Sequence, residues 1–291
     1  MELALHLGAH LTDEGRLLRC LSANRKLLAQ QGIAVPDLAQ YRDLLLALAG
    51  TTDPAELDPE ADQILLASAD IPDTARRAVF SDPKLLSWKG GAARINQFYP
   101  NAPGRMATLR RALGAHQVDL FMAIRNPASF IPTFLQGMKP AKAKSVLAKL
   151  KPQELRWSRL IGDIREAWPE ARLTLWCDED TPFIWHQILA HISGHDQGTE
   201  LAHAYEWFDE VMIEGGAQKL EAYLNSVPPV DEAHRQRVIA AFLDKFCDPE
   251  KIDIDVSSTG WDAEMVDLLS ELYEADLATI ADMPEITLIQ P

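Results

Sequence analysis

Four short apolar runs, separated by amphipathic stretches, limit what this chain can fold into more than any other feature. They cover residues 3–7, 77–81, 118–124 and 172–176. Runs of five to seven residues have strand length, and apolar residues without strict alternation are what a strand covered on both faces requires. Between the runs the apolar residues recur at helical spacing, as at Leu17, Leu18, Leu21, Leu27 and Leu28 after the first. Strand alternating with helix over the first two thirds, and helix thereafter, predicts an α/β fold. We expect a parallel sheet of about four or five strands flanked by helices over residues 1–200, with a mostly helical C-terminal part over 201–291 packed against it in one domain. The 291 residues suffice for a domain of that size with a large core.

Two strand ends carry chemistry. After the first run, Gly8 ends the apolar stretch, the turn His10-Leu11-Thr12-Asp13-Glu14 follows, and Gly15 opens a helix. In parallel α/β proteins this arrangement aims unpaired N–H groups at the place where a phosphate would sit. A phosphate cradle uses glycines with a lysine or hydroxyl. Here Asp13 and Glu14 would each repel an anion by about 1 kcal/mol at about 4 Å even in water. The third run ends at Arg125, and the helix after it carries Ser129 and Thr133. A guanidinium fork with two hydroxyls makes a second anion site at the carboxyl edge of the sheet. Pairing of Arg125 with a neighbouring carboxylate is the alternative.

Charge narrows the partners. With 28 Lys and Arg against 43 Asp and Glu, the net charge of −15 opposes nucleic acid and anionic membranes at long range. No apolar run approaches a membrane span, and the first strand follows Met1 without a signal segment, so a cytoplasmic location is expected. Cys20, Cys177 and Cys247 are widely separated and read as free thiols. His191 and His195 have the i,i+4 spacing of a helical metal site, but Gly194 between them ends the helix, so no metal is expected. Five lysines from Lys139 to Lys151 form either a patch for an anionic substrate or a solvated helix face. That stretch and the irregular region 82–104 are where acceptor contacts are expected.

Several motifs, in their order and spacing, resemble the sulfotransferase-like proteins. His6-Leu7-Gly8-Ala9-His10-Leu11-Thr12-Asp13-Glu14-Gly15-Arg16-Leu17 is similar to their opening, usually Gly-Thr-His-Lys-Thr-Gly-Thr-Thr-Ser-Leu. Residues 119–133 resemble their second signature, an arginine at a strand end and a serine eight residues on, here Arg125 and Thr133. Phe80-Ser81-Asp82, Leu175-Trp176-Cys177-Asp178-Glu179-Asp180 and the tail 261–291 extend the resemblance over most of the chain.

The resemblance implies a P-loop nucleotide-binding type of fold. It also implies transfer of a sulfuryl group from 3′-phosphoadenylyl sulfate (PAPS) to a hydroxyl or amine of an unknown small-molecule or glycan acceptor. Thr12, Gly15 and Arg16 then fall at the 5′-phosphosulfate, and Arg125 and Thr133 at the 3′-phosphate. The departures lie in the first loop: Leu11 stands at the family's lysine, Asp13 replaces a glycine and Glu14 a phosphate-binding threonine. Losing a cation aimed at developing charge costs about 10²–10³ in rate. Arg16, reaching back, or His10, as a cation or a general base, would be the catalytic replacement. Alternatively Arg16 pairs with Glu14 or Asp13, and His10 is bonded within the loop. Two functions therefore stay open. One is a PAPS-dependent sulfotransferase-like enzyme, and the other a non-catalytic binding or interaction module of the same fold that has lost donor binding.

Overall fold

The computed structural model describes residues 1–291, apart from the side chains of Pro54, Lys89 and Ser258. In chain order its strands are β1 (Glu2–His6), β2 (Ile33–Ala34), β3 (Arg77–Ser81), β4 (Ala93–Arg94), β5 (Gln97–Phe98), β6 (Gln117–Ile124), β7 (Arg172–Cys177) and β8 (Ile286–Ile289). Six of them form one sheet in the order β2-β3-β1-β6-β7-β8, with every neighbouring pair parallel. β4 and β5 make a separate antiparallel ribbon. The sheet exceeds the expected four or five strands because the two-residue piece before Pro36 pairs with β3, and the tail strand pairs with β7.

Successive side chains of β1 feed two cores, as the pleat demands. Leu3 and Leu5 join the larger cluster, under helices Leu38–Gly50, Ala102–Leu113, Pro127–Gln136, Trp157–Ala167 and Ala263–Ala281. Ala4 joins the other, under helices Arg16–Ala23, Thr181–Ser193, Gly216–Ser226 and Glu232–Phe246. The helical last third is thus divided between both faces of the sheet. No helix among the described residues is long and apolar enough to cross a membrane.

Two excursions build the carboxyl edge. Tyr99 accepts the His10 N–H at 2.9 Å on its hydroxyl, which sets residues 82–101 against the loop after β1. Trp157 donates its ring N–H to Arg125 O at 2.8 Å, so the chain returns to the end of β6 before crossing to β7. The rings of Phe98, Phe130 and Trp157 then lock both excursions together, with Phe98 stacked on Trp157 at 3.9 Å between centroids.

At the amino edge a buried ionic knot ties three strands to a helix end. Asp119 accepts from Arg77 at 2.8 Å and from Arg172 at 2.7 and 2.9 Å. Arg77, 3% exposed, also donates to Ile192 O and His191 O, the last carbonyls of helix Thr181–Ser193. Cations suit a helix C-terminus, and Gly194 ends this one in the left-handed conformation (φ 64°). Arg77→Met should lower the unfolding free energy by roughly 3–5 kcal/mol in urea titrations, because it strips buried partners from Asp119 and from two carbonyls. A loss below about 1 kcal/mol would mean that Arg172 alone satisfies Asp119.

Candidate functional site

The loop from Gly8 to Gly15 leaves the carboxyl end of β1 in a tight, self-bonded path. Gly8 (φ 97°) must be glycine, since a Cβ there would stand 2.9 Å from the Pro83 Cβ. Leu11 and Glu14 also take positive φ, at 67° and 49°. The Thr12 hydroxyl donates to Ala9 O at 2.8 Å, and Thr12 is 2% exposed. Leu11 packs against the larger core cluster.

Asp13 decides what the loop can hold. Its carboxylate accepts from Gly15 N at 2.9 Å and from Leu17 N at 2.8 Å. These N–H groups open helix Arg16–Ala23, where an incoming phosphate would be held. The chain therefore supplies its own anion at that place.

Arg16 reaches back, as expected, but onto backbone: it donates to Asp13 O and Thr12 O, both at 2.9 Å. Its guanidinium also lies over Trp207, 4.9 Å from the ring centroid, with Glu210 at 3.5 Å. The pairing expected with Glu14 or Asp13 is thus replaced by Glu210 and by loop carbonyls.

The second site follows the same plan. Arg125 donates to Leu11 O at 2.7 Å and to Ser129 Oγ at 3.0 Å, and Asp178 stands 3.8 Å away. The Thr133 hydroxyl donates to Ser129 O one turn back. Glu179 accepts the Asn126 N–H at 2.8 Å, and Asn126 caps helix Pro127–Gln136 through Ala128 N. A second carboxylate of the chain thus lies at the second helix start.

Arg16, Arg125, Ser129 and Thr133 share one cleft of ≈ 800 Å³. Lys251 also lines it and donates to Asp209 O and Met212 O. Against these three cations the walls bring five acids, Asp178, Glu179, Glu210, Asp253 and Asp255. Thr12 and Gly15 lie outside that lining; Gly15 borders a smaller cleft of ≈ 290 Å³ with His6, His10, Arg42 and Asp82.

Burial sets the protonation of this edge. Desolvation pushes the Asp178 carboxyl up to about 7, against the lowering effect of Arg125 and Arg16. It also raises Glu179, opposed by the Asn126 N–H. His6 is 1% exposed, bonds Ser81 Oγ through Nδ1 at 2.8 Å and stacks on Trp176. Burial lowers its pKa, with Asp13 pulling the other way, so its ring is neutral. At His10, the Tyr99 hydroxyl accepts the backbone N–H at 2.9 Å and stands 3.0 Å from Nδ1, with the two rings stacked. An aromatic residue of another segment, 89 positions away, thus holds His10.

Among the described residues no group of three His, Cys, Asp or Glu side chains could hold a metal ion. His195 bonds Ser193 Oγ at 2.6 Å rather than facing His191. The three cysteines are free thiols, Cys20 and Cys177 being raised to about 12 by burial.

Comparison with protein-family models, curated proteins and solved structures finds no match for the chain. The class that the structure defines is a parallel α/β fold with a self-bonded loop at the carboxyl end of its central strand.

The structure brings Arg16, expected at the first site, into one cleft with Arg125, Ser129 and Thr133, expected at the second. Sequence reasoning missed His6 and the Asp82–Arg42 pair, 2.7 Å apart, and gave no role to Asp178. The signal for Asp178 was available, since it directly follows an apolar strand at the ligand edge of the sheet.

A raised carboxyl pKa means that the folded state holds the proton more tightly than the unfolded chain. Its contribution is fully present below about pH 4 and is lost as the pH rises to about 7. Asp178→Asn should therefore raise stability at pH 8 by on the order of 2–4 kcal/mol and leave it nearly unchanged at pH 4. Thermal unfolding across that range checks this; equal effects at both ends would remove the titration.

Proposed function

We propose that this chain is a sulfotransferase-like protein that has given up donor binding and keeps the scaffold as a non-catalytic binding module. One observation carries the proposal: at the helix start after β1, where the donor's 5′-phosphosulfate would be held, Asp13 of the chain already takes the N–H groups of Gly15 and Leu17. At the second site Glu179 adds a further carboxylate, on the N–H of the capping residue Asn126. To enter the first place a phosphate must displace a charge-assisted bond pair and then sit beside the displaced carboxylate. The cations are partly committed elsewhere, since Arg16, Arg125 and Lys251 already donate to backbone carbonyls. Leu11, held by the core, leaves the loop without its lysine.

The second reading, sulfuryl transfer from PAPS, draws support from the shared cleft of Arg16, Arg125, Ser129 and Thr133. The strand order supports the sulfotransferase-like assignment under either reading, because it puts the loop of β1 at the point where the connections reverse. Calorimetric titration with 3′-phosphoadenosine 5′-phosphate separates the two. The native protein should give no binding heat at millimolar nucleotide. Asp13→Gly, and a variant with Leu11→Lys and Glu14→Thr added, should gain measurable affinity. Micromolar binding by the native protein that Arg125→Ala abolishes would overturn the non-catalytic reading in favour of the enzyme.

A further inference from the structure

The charge of this chain is segregated along the sequence. Residues 83–153 hold twelve Lys and Arg and one acid, Asp119, while the rest holds sixteen Lys and Arg and forty-two acids. Asp119 is itself 5% exposed and neutralised by Arg77 and Arg172. The stretch includes most of both excursions at the carboxyl edge, 83–101 after Asp82 and the part of 126–156 before Glu154.

The two excursions meet at the surface. Lys142 Nζ lies 3.9 Å from where a Cβ on Gly90 would be, and Lys151 N donates to Ile95 O. Trp88 is 71% exposed and Ile95 57%. Beside them the helix Pro140–Leu147 turns Ala143, Val146 and Leu147 to the core and exposes Lys142 and Lys144, with Lys149 exposed just after it. Among the described residues Lys142, Lys144 and Lys149 make no ion pair, and Lys151 is bridged to Glu154. A tryptophan and an isoleucine thus protrude from an excursion flanked by unneutralised ammonium groups.

We propose that this surface docks onto an anionic lipid bilayer, with the lysines over the headgroup phosphates and Trp88 and Ile95 entering the interfacial layer. Three features favour a bilayer over other polyanions. The exposed charges beside Trp88 are mainly lysine ammoniums, which suit a diffuse anionic plane better than the bidentate recognition of single carboxylates or phosphates. Ile95 has no π-face for a base, whereas both apolar side chains gain from the interface. The clefts at the β1 loop are lined by other residues, so the surface stands apart from them. The net charge of −15 argues against membranes only on average: apart from Glu154, which bonds Lys151 and Asn96 beside Ile95, the acids lie in other segments of the chain, and salt screens those farther than about 8–10 Å. The proposal is independent of whether the cleft holds a nucleotide.

Co-sedimentation with phosphatidylcholine vesicles, with and without phosphatidylglycerol, tests it. Binding is expected only with phosphatidylglycerol, and should fall with added salt. Lys142→Glu with Lys144→Glu should lower partitioning at least about twentyfold, at about fivefold per lysine. Trp88→Ala should lower it several-fold. Lys26→Glu with Lys245→Glu makes the same change in net charge at exposed sites elsewhere and should leave binding unchanged. All these positions are exposed, so the variants should keep the native melting temperature. No binding to anionic vesicles at low salt would overturn the proposal, as would an equal loss in the control pair. Tighter binding to a single-stranded polynucleotide than to the vesicles would also overturn it, and would make the surface a nucleic-acid site.

Discussion

The five residues of β1 are hydrogen-bonded on both sides, to β3 and to β6, in matching parallel register. A strand with no free edge and helices on both faces has no side chain to spare for water, so Leu3, Ala4 and Leu5 are fully buried. Everything at the carboxyl edge hangs from that strand. The loop after it inherits a fixed starting point and must close at once onto β6, through Ala9 N to Ala123 O and Ala123 N to Gly8 O. Pro83, at the end of β3, then presses on Gly8 from the other side.

Within that confined space the loop balances its own electrostatics. Asp13 completes the donors at the start of helix Arg16–Ala23, and the guanidinium groups of Arg16 and Arg125 complete the carbonyls of Thr12, Asp13 and Leu11. A helix start in a parallel fold is an anion site by construction, and whether it receives a ligand depends on what the chain puts there first. Here Asp13 fills the first start and Glu179 holds the residue that caps the second, in a cleft whose walls bring five acids and three cations. Asp178, with its carboxyl held near neutrality by burial, makes the balance depend on pH.

The same edge also separates charge on a larger scale. The excursions that cover it are almost free of acids, while the remaining segments are strongly acidic. Packing holds the two excursions together through Phe98, Phe130 and Trp157. An averaged net charge conceals that arrangement.

The sequence by itself determined the α/β class and most of its elements, because the apolar period and the Gly and Pro stops are local signals. β1, β3, β6 and β7 all lie where the apolar runs put them. It also determined that Arg125 and Thr133 share a strand end, since one short βα junction carries both. Only the tertiary structure decided what those residues touch. That Tyr99 holds His10, that Arg125 bonds Leu11 O and that Glu179 meets Asn126 N are contacts across 89, 114 and 53 positions of chain. The cap made by Asp13 spans two and four residues, yet it too was illegible, because an aspartate before a helix reads equally as a cap or as repulsion until its oxygens are placed. Local period fixes which residues form an element; packing and burial fix which polar partners each one finds.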